Sequence, residues 1–293
     1  MENLVLWVRG ILYTNENIEE FNKIYYSHIL FSYKKNFIPI KDTTITNDSG
    51  WGCMLRCSQM ILYQSLMMIL NIDDNKNMEI SNLFNDNNES IFSIHQLCLM
   101  KKQLNIEFTE WIGPHLACHL LQKVFLNSNY IDKIGIEITQ NTIMNKNLEI
   151  NKPTILFIPI RLGNKSIDEK YYHHLYYLFT FTNFMGFIGG KNRSAYYFIG
   201  IDNSLDLYYL DPHITQDLKY EKNISFTQEK VEKMNISSID TNLSLCFTIK
   251  NNTEYLLICD LFETKIKLPI DVLETNNYTN INFNETDEWL ILE

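Results

Sequence analysis

A chain of 293 residues that is 45% hydrophobic, 13% aromatic and 20% charged has the makeup of a folded globular protein and is too apolar for a disordered one. Its net charge of -10 at pH 7, with no stripe rich in Lys and Arg, argues against nucleic acid as a partner, because phosphate binding needs a basic surface. The length suits one large domain or two.

In chain order, the start Met1-Glu2-Asn3 and the brief apolar run at residues 4–8 lack the basic opening and long apolar segment of a secretory signal. No run approaches 18 uninterrupted apolar residues, so no membrane span is expected and a cytoplasmic location is. In that reducing setting Cys53, Cys57, Cys98, Cys118, Cys246 and Cys259 are expected to stay unpaired. No paired C-x-x-C supports a zinc site, and no metal or other cofactor is expected. Residues 18–33 carry Phe21, Ile24, Tyr25 and Ile29 at helical spacing, and Pro39 bars further helix. Residues 41–50, rich in Thr, Asn, Asp and Ser, are expected to form an exposed loop. A helix is predicted from Cys53 to about residue 70, a second from Ser93 as its cap, and a third from Pro114, a favoured first-turn residue.

The pattern then changes. Residues 154–160 form a continuous apolar run of strand length, the sign of a strand buried on both faces. Residues 168–184 return to helical spacing, and strands are expected at 196–201, 207–210, 245–249, 255–259 and 265–268. Helices first and strands later predict an α+β fold. Gly186, Gly189 and Gly190 before Lys191 miss the spacing of a phosphate loop and are expected to form a flexible loop, structural or gating.

The chemistry concentrates in DSGWGCMLRC, residues 48–57. Gly50 and Gly52 allow a sharp turn and leave the sulfur of Cys53 uncrowded, and the apolar spacing that follows places Cys53 in the first turn of a helix. Unsatisfied N–H groups and the helix dipole favour a thiolate there. The plainer reading is a packed thiol, since free cysteine is among the most buried residue types. A nucleophilic thiol needs a base and the base an orienting group. YYLDPHITQ supplies both, with Asp211 and His213 on either side of Pro212 at the end of an apparent strand, where residues two apart project to one side. Turn chemistry alone also accounts for Asp-Pro. His95, His115 and His119 fall in predicted helices and His173 and His174 are adjacent, so these are read as packing or surface residues. A nucleophile at a helix start and a base on a later strand is similar to the layout of papain, with an Asp before the His in place of papain's Asn after it.

Taken together, FSYKKNF, SGWGCMLRC followed by SQM, SIHQ, WIGP, IPIRLG, FIGGKNRSAYYFIG and YYLDPHITQ resemble, in order, the signatures of the autophagins. These are autophagy cysteine peptidases acting on a small ubiquitin-like modifier of the autophagosome membrane. The match extends from Phe31 to Gln216. The resemblance implies a papain-like cysteine protease fold with family-specific additions, a triad of Cys53, His213 and Asp211, and an oxyanion hole lined by Tyr33 and the Cys53 N–H. It implies that Trp111 covers the substrate groove and that Lys191, Asn192, Arg193 and Ser194 form a regulatory loop. This chain has Asn192 where the family often has proline. The implied partner is the ubiquitin-like modifier, as precursor and as phosphatidylethanolamine conjugate, with membranes touched only through the lipidated substrate. The alternatives are a catalytically weak modifier-binding protein of the same fold and a deubiquitinase-like thiol hydrolase.

A peptidase domain over residues 1–275 is expected to be followed by a polar tail, 276–293. The tail ends in DEWLILE, where Trp289 and Leu292 form an acid-flanked W-x-x-L that resembles the short motif docking partners onto autophagy modifiers.

Overall fold

The computed structural model describes residues 3–72, 77–140, 142–218 and 228–274. The chain opens with a hairpin, β1 (Val5–Val8) and β2 (Ile11–Thr14), followed by α1 (Ile18–Ser27) and the two-residue β3 (Lys34–Lys35). The helical half continues with α2 (Cys53–Leu70), α3 (Asn77–Ser81), α4 (Ile94–Gln103) and α5 (Pro114–Leu126). Then come β4 (Gly135–Ile138), β5 (Ile143–Asn145), β6 (Thr154–Arg161), α6 (Tyr172–Leu178), β7 (Phe184–Lys191), β8 (Ser194–Asp202), β9 (Asp206–Leu210) and β10 (Gln216–Asp217). The described chain closes with β11 (Glu232–Asn235), β12 (Asn242–Ile249), α7 (Asn252–Thr264) and β13 (Asp271–Leu273).

The main sheet runs β11-β9-β8-β7-β12-β6-β4, with the β1-β2 hairpin added to β8. Its neighbours pair antiparallel except for parallel β4 and β6. One face of the sheet packs on α2 and α5, with α4 against those helices, and the other on α6 and α7, giving two buried clusters. This is an α+β, papain-like architecture: a helix begun by a cysteine lies against an antiparallel sheet. Helix α2 is as long and apolar as a membrane span, yet it is buried around almost its whole circumference, which makes it the core helix of this layer.

The predicted starts at Cys53, Ser93 and Pro114 hold, with the Ser93 side chain accepting the Gln96 N–H. Five expectations do not. The first helix stops at Ser27, because His28 turns extended, so residues 29–33 run as chain toward β3. Residues 168–184 contain a single turn of 3-10 helix and the short α6 before β7 begins. The stretch 255–259 is helix: the Asn251 side chain accepts the Glu254 N–H, and Tyr255, Ile258, Cys259 and Phe262 bury one helical face. No strand spans 265–268; its apolar residues Ile266 and Leu268 cap the cluster below α7 instead. The glycine-rich stretch expected as a flexible loop is β7, in the middle of the sheet. Gly186 sits there at φ +91 with a Cβ position only 2.0 Å from the Phe198 carbonyl oxygen, so the close approach of β8 requires glycine.

Candidate active site

Residues 48–52 form a tight turn in which the Asp48 carbonyl accepts the N–H groups of Trp51 and Gly52 at 3.3 and 2.9 Å. The turn delivers Cys53 to the first position of α2, whose N-terminus has no capping side chain, so unsatisfied N–H groups surround the sulfur. All six cysteines are free and buried. Cys57, one turn further along α2, has its thiol pushed well up by burial and stays inert.

Leu210 ends β9, and the chain turns at once. A single oxygen, Asp211 Oδ1, accepts the His213 backbone N–H at 2.9 Å and the imidazole Nδ1–H at 2.5 Å. The two residues meet because the chain turns back on itself, whereas sequence reading expected an extended strand. The opposite nitrogen, Nε2, is buried and closes no hydrogen bond among the described residues. It faces Cys53, a loose approach of the kind that tightens when substrate arrives.

Tyr33 is locked beside this turn by its backbone: its N–H donates to the Pro212 carbonyl at 2.8 Å, and its carbonyl accepts the Gln216 N–H at 2.9 Å. The parallel pairing of β3 with β10 continues that seam. The Tyr33 ring meets the His213 imidazole edge to face, centroids 5.4 Å apart, and the Tyr196 ring lies 5.3 Å away on another side. The Tyr33 hydroxyl lies beside the Cys53 sulfur, and burial together with that neighbour pushes the phenol well up.

The electrostatics follow from this geometry. Burial opposes ionisation of Cys53, but contacts with His213, the Tyr33 hydroxyl and the Ala195 N–H, together with the imidazolium charge, bring the thiol below its ordinary range. Burial works against the His213 charge as well. The bond to Asp211 and the contact with Cys53 outweigh it and lift the imidazole to about 9. The pair therefore favours thiolate and imidazolium, a nucleophile beside a proton donor, which is the equipment for acyl transfer.

The other sequence-predicted residues fall around this centre. Trp111 is half-buried against the same cluster as Trp51 and Cys53, and its indole N–H is buried with no partner among the described residues. Residues 191–194 form a tight hairpin, with Lys191 opposite Ser194 and Asn192 and Arg193 at φ 52 and 65. Both central residues are left-handed, a turn that proline, fixed near -65°, cannot enter, so Asn192 is what this geometry demands. Trp289 and Leu292 lie outside the described residues.

Sequence reading passed over several participants. Tyr196 and the Ala195 N–H come from β8, far along the chain from Cys53. Lys101, buried on α4, donates to the carbonyls of Phe108 and Glu110 at 2.8 and 2.6 Å and sits 5.6 Å over the Trp51 ring, tying the segment that carries Trp111 to the Cys53 turn. By contrast His115 and His119, read above as packing or surface residues, lie four apart on α5 and bring their Nε2 atoms within 3.0 Å, and burial lowers His119 to about 3. Their spacing was a visible signal.

Residues 18–261 match the family profile described as the peptidase C54 catalytic domain. Cysteine protease ATG4B of Xenopus laevis is 30% identical over 298 residues, covering 85% of this chain and 77% of that protein. The probable cysteine protease atg4 of Schizosaccharomyces pombe is 29% identical over 280 residues, 92% of this chain and 85% of that one. Among solved structures, UfSP from C. elegans is 16% identical, with a TM-score of 0.35, over 76% of this chain and 34% of that one.

Proposed function

The chain belongs to the peptidase C54 family, the autophagins, and is a cysteine protease of the autophagy pathway; on that premise we propose that it cleaves after the C-terminal glycine of a ubiquitin-like modifier. The reading covers both removal of residues that follow the glycine in the precursor and release of the modifier from phosphatidylethanolamine. The observation that carries it is the convergence of Cys53, at the uncapped start of α2, with His213 held by Asp211 and with the Tyr33 hydroxyl.

In this mechanism the Cys53 thiolate attacks the glycine carbonyl. The tetrahedral oxyanion is received by the Cys53 N–H and the Tyr33 hydroxyl, each donor of this kind being worth about 2.7 to 4 kcal/mol. The His213 imidazolium gives its proton to the leaving amine, whether a peptide α-amine or the ethanolamine nitrogen, and the C–N bond breaks. Neutral His213 then takes a proton from water, which attacks the thioester and frees the glycine carboxylate and the thiolate. A groove roofed by Trp111 admits a backbone without Cβ, which accounts for glycine at the cleavage point. The peptidase domain is assigned to residues 1–275 and the modifier-docking motif to the tail, and the enzyme is placed in the cytoplasm, where precursor and lipidated modifier are both within reach.

The test is to incubate the protein with a modifier precursor carrying an extension after its glycine, beside a ubiquitin precursor and a Cys53→Ala control. Cleavage of the modifier precursor that disappears in Cys53→Ala is expected. Cleavage of ubiquitin alone favours a deubiquitinase, and binding without cleavage favours the inactive modifier-binding alternative.

A further inference from the structure

Beneath the Cys53 turn lies an ion-pair network sealed from solvent. Arg56 donates through Nε to Asp48 Oδ2 at 2.7 Å, and through Nη1 to Asp86 Oδ1 at 2.8 Å and Gln59 Oε1 at 3.2 Å. The side chains of Arg56, Asp48 and Asp86 are all at most 1% exposed. Two carboxylates sharing one guanidinium in a dry interior stabilise a fold poorly, since each ion has given up its hydration. Burial pushes the Asp48 carboxyl up, and Arg56 pulls it back. The network is better understood through what Asp48 holds.

Asp48 Oδ1 accepts the Lys34 N–H at 2.6 Å, and the Asp48 N–H donates to the Lys34 carbonyl at 3.1 Å. Its carbonyl accepts the Gly52 N–H at 2.9 Å. One residue thus ties the segment carrying Tyr33 to the turn presenting Cys53. Arg56 is in turn built into the same helix start, its backbone N–H donating to the Gly52 carbonyl at 2.9 Å. Space is tight: a Cβ on Gly52 would lie 2.5 Å from Asp48 Oδ2. The carboxylate that Arg56 grips is the surface against which the residue before Cys53 rests.

We propose that Arg56 is a positioning residue for the peptidase reaction: its grip on Asp48 sets the spacing between the Tyr33 hydroxyl and the Cys53 end of α2, and so the fit of the oxyanion between them. The inference rests on the peptidase reading above. Arginine suits the task because its planar fork can bond two carboxylates in fixed directions at once, which a lysine ammonium on a flexible stem cannot reproduce.

A double-mutant cycle in the full chain tests it, with the modifier precursor as substrate. Arg56→Lys keeps the charge and loses the fork. It is expected to lower kcat about ten- to a hundredfold, short of the ~10²–10³ that deleting an oxyanion donor costs. KM is expected to change less than about twofold, as for an interaction realised in the transition state. Tyr33→Phe removes the donor itself, so adding Arg56→Lys to it is expected to cost almost nothing more. Alkylation of Cys53 by iodoacetamide needs the thiolate but no oxyanion site, so its limiting rate at high pH, where Cys53 is fully ionised, is expected to stay within about twofold of wild type.

Additive losses in the cycle overturn the inference. So does alkylation slowed in step with kcat, which makes Arg56 a merely structural residue. Should Arg56→Lys fail to fold, as judged by thermal unfolding, Asp86→Asn loosens only the far end of Arg56 and enters the same cycle with the same outcomes. The functional reading fails separately: wild-type protein that leaves the precursor uncleaved, or Cys53→Ala protein that cleaves it, removes that reading and this inference with it.

Discussion

Asp211 holds His213 twice through one oxygen, by the backbone N–H at 2.9 Å and by the imidazole Nδ1–H at 2.5 Å. The double hold fixes both the position of the ring and its tautomer, leaving Nε2 as the nitrogen that exchanges a proton with Cys53. Because the two residues are separated only by Pro212, this half of the site is built by a turn rather than by the fold at large.

The reactive ion pair has a defined pH window. The Cys53 thiol lies below its ordinary range and His213 is lifted to about 9, so cleavage is expected to rise as Cys53 ionises and to fall as His213 loses its proton near 9. The two limbs belong to the coupled pair. Asp211→Asn removes the largest contribution lifting His213, so it is expected to move the basic limb to lower pH and to cut kcat by roughly 10²–10⁴. A pH–kcat/KM profile for both proteins checks this, and a basic limb that stays put in Asp211→Asn counts against the assignment.

Gly52→Ala and Gly50→Ala should behave differently. At Gly52 the backbone is ordinary but the new Cβ lies 2.5 Å from Asp48 Oδ2, and the clamped carboxylate has little freedom to retreat. Overpacking of this kind costs about 1–3 kcal/mol, and here it displaces Cys53 as well. At Gly50 nothing lies within 4 Å of the added Cβ, and the cost comes from φ +87 alone, about 1 kcal/mol. Urea unfolding and kcat for each variant decide. Retained full activity in Gly52→Ala contradicts the clamp.

Lys101→Met keeps the buried stem of Lys101 and removes its bonds to the Phe108 and Glu110 carbonyls. Hydrogen exchange at residues 106–111 is expected to speed up, and KM to rise, because that segment carries Trp111. Burial lowers the lysine to about 8 against 10.5 when unfolded, so between those values the unfolded chain binds the extra proton and stability rises with pH. Denaturant titrations at pH 8 and 10 are expected to show this contribution in the wild type and not in Lys101→Met.

Deleting residues 288–293 is expected to weaken capture of the modifier while hydrolysis of a small peptide substrate stays intact, since the W-x-x-L is assigned to docking and not to chemistry. Binding measured by calorimetry on the truncated and full chains checks it. Equal affinities refute the docking role of Trp289 and Leu292.

What the sequence by itself determined was local. Gly52-Cys53 followed by an apolar helical pattern marked a candidate nucleophile, Ser93 and Pro114 located two helix starts, and Asp-Pro-His offered a candidate base with an orienting carboxylate, because each of these contacts spans only a few residues; the family resemblance chose between these and the plainer readings. Tyr33 was legible only through family resemblance, since its seat comes from pairing with Pro212 and Gln216 far along the chain. Only the tertiary structure decided that residues 255–259 are helix, that the glycine-rich stretch is a central strand, and that Asp48, Arg56, Lys101 and Tyr196 surround the site. Residues 255–259 carry apolar Leu256 and Leu257 on the exposed face of α7, and β7 is buried on both faces, so neither segment has the polar positions that tell period 2 from 3.6. A buried carboxylate or ammonium looks like any surface charge until the fold brings its partner to it.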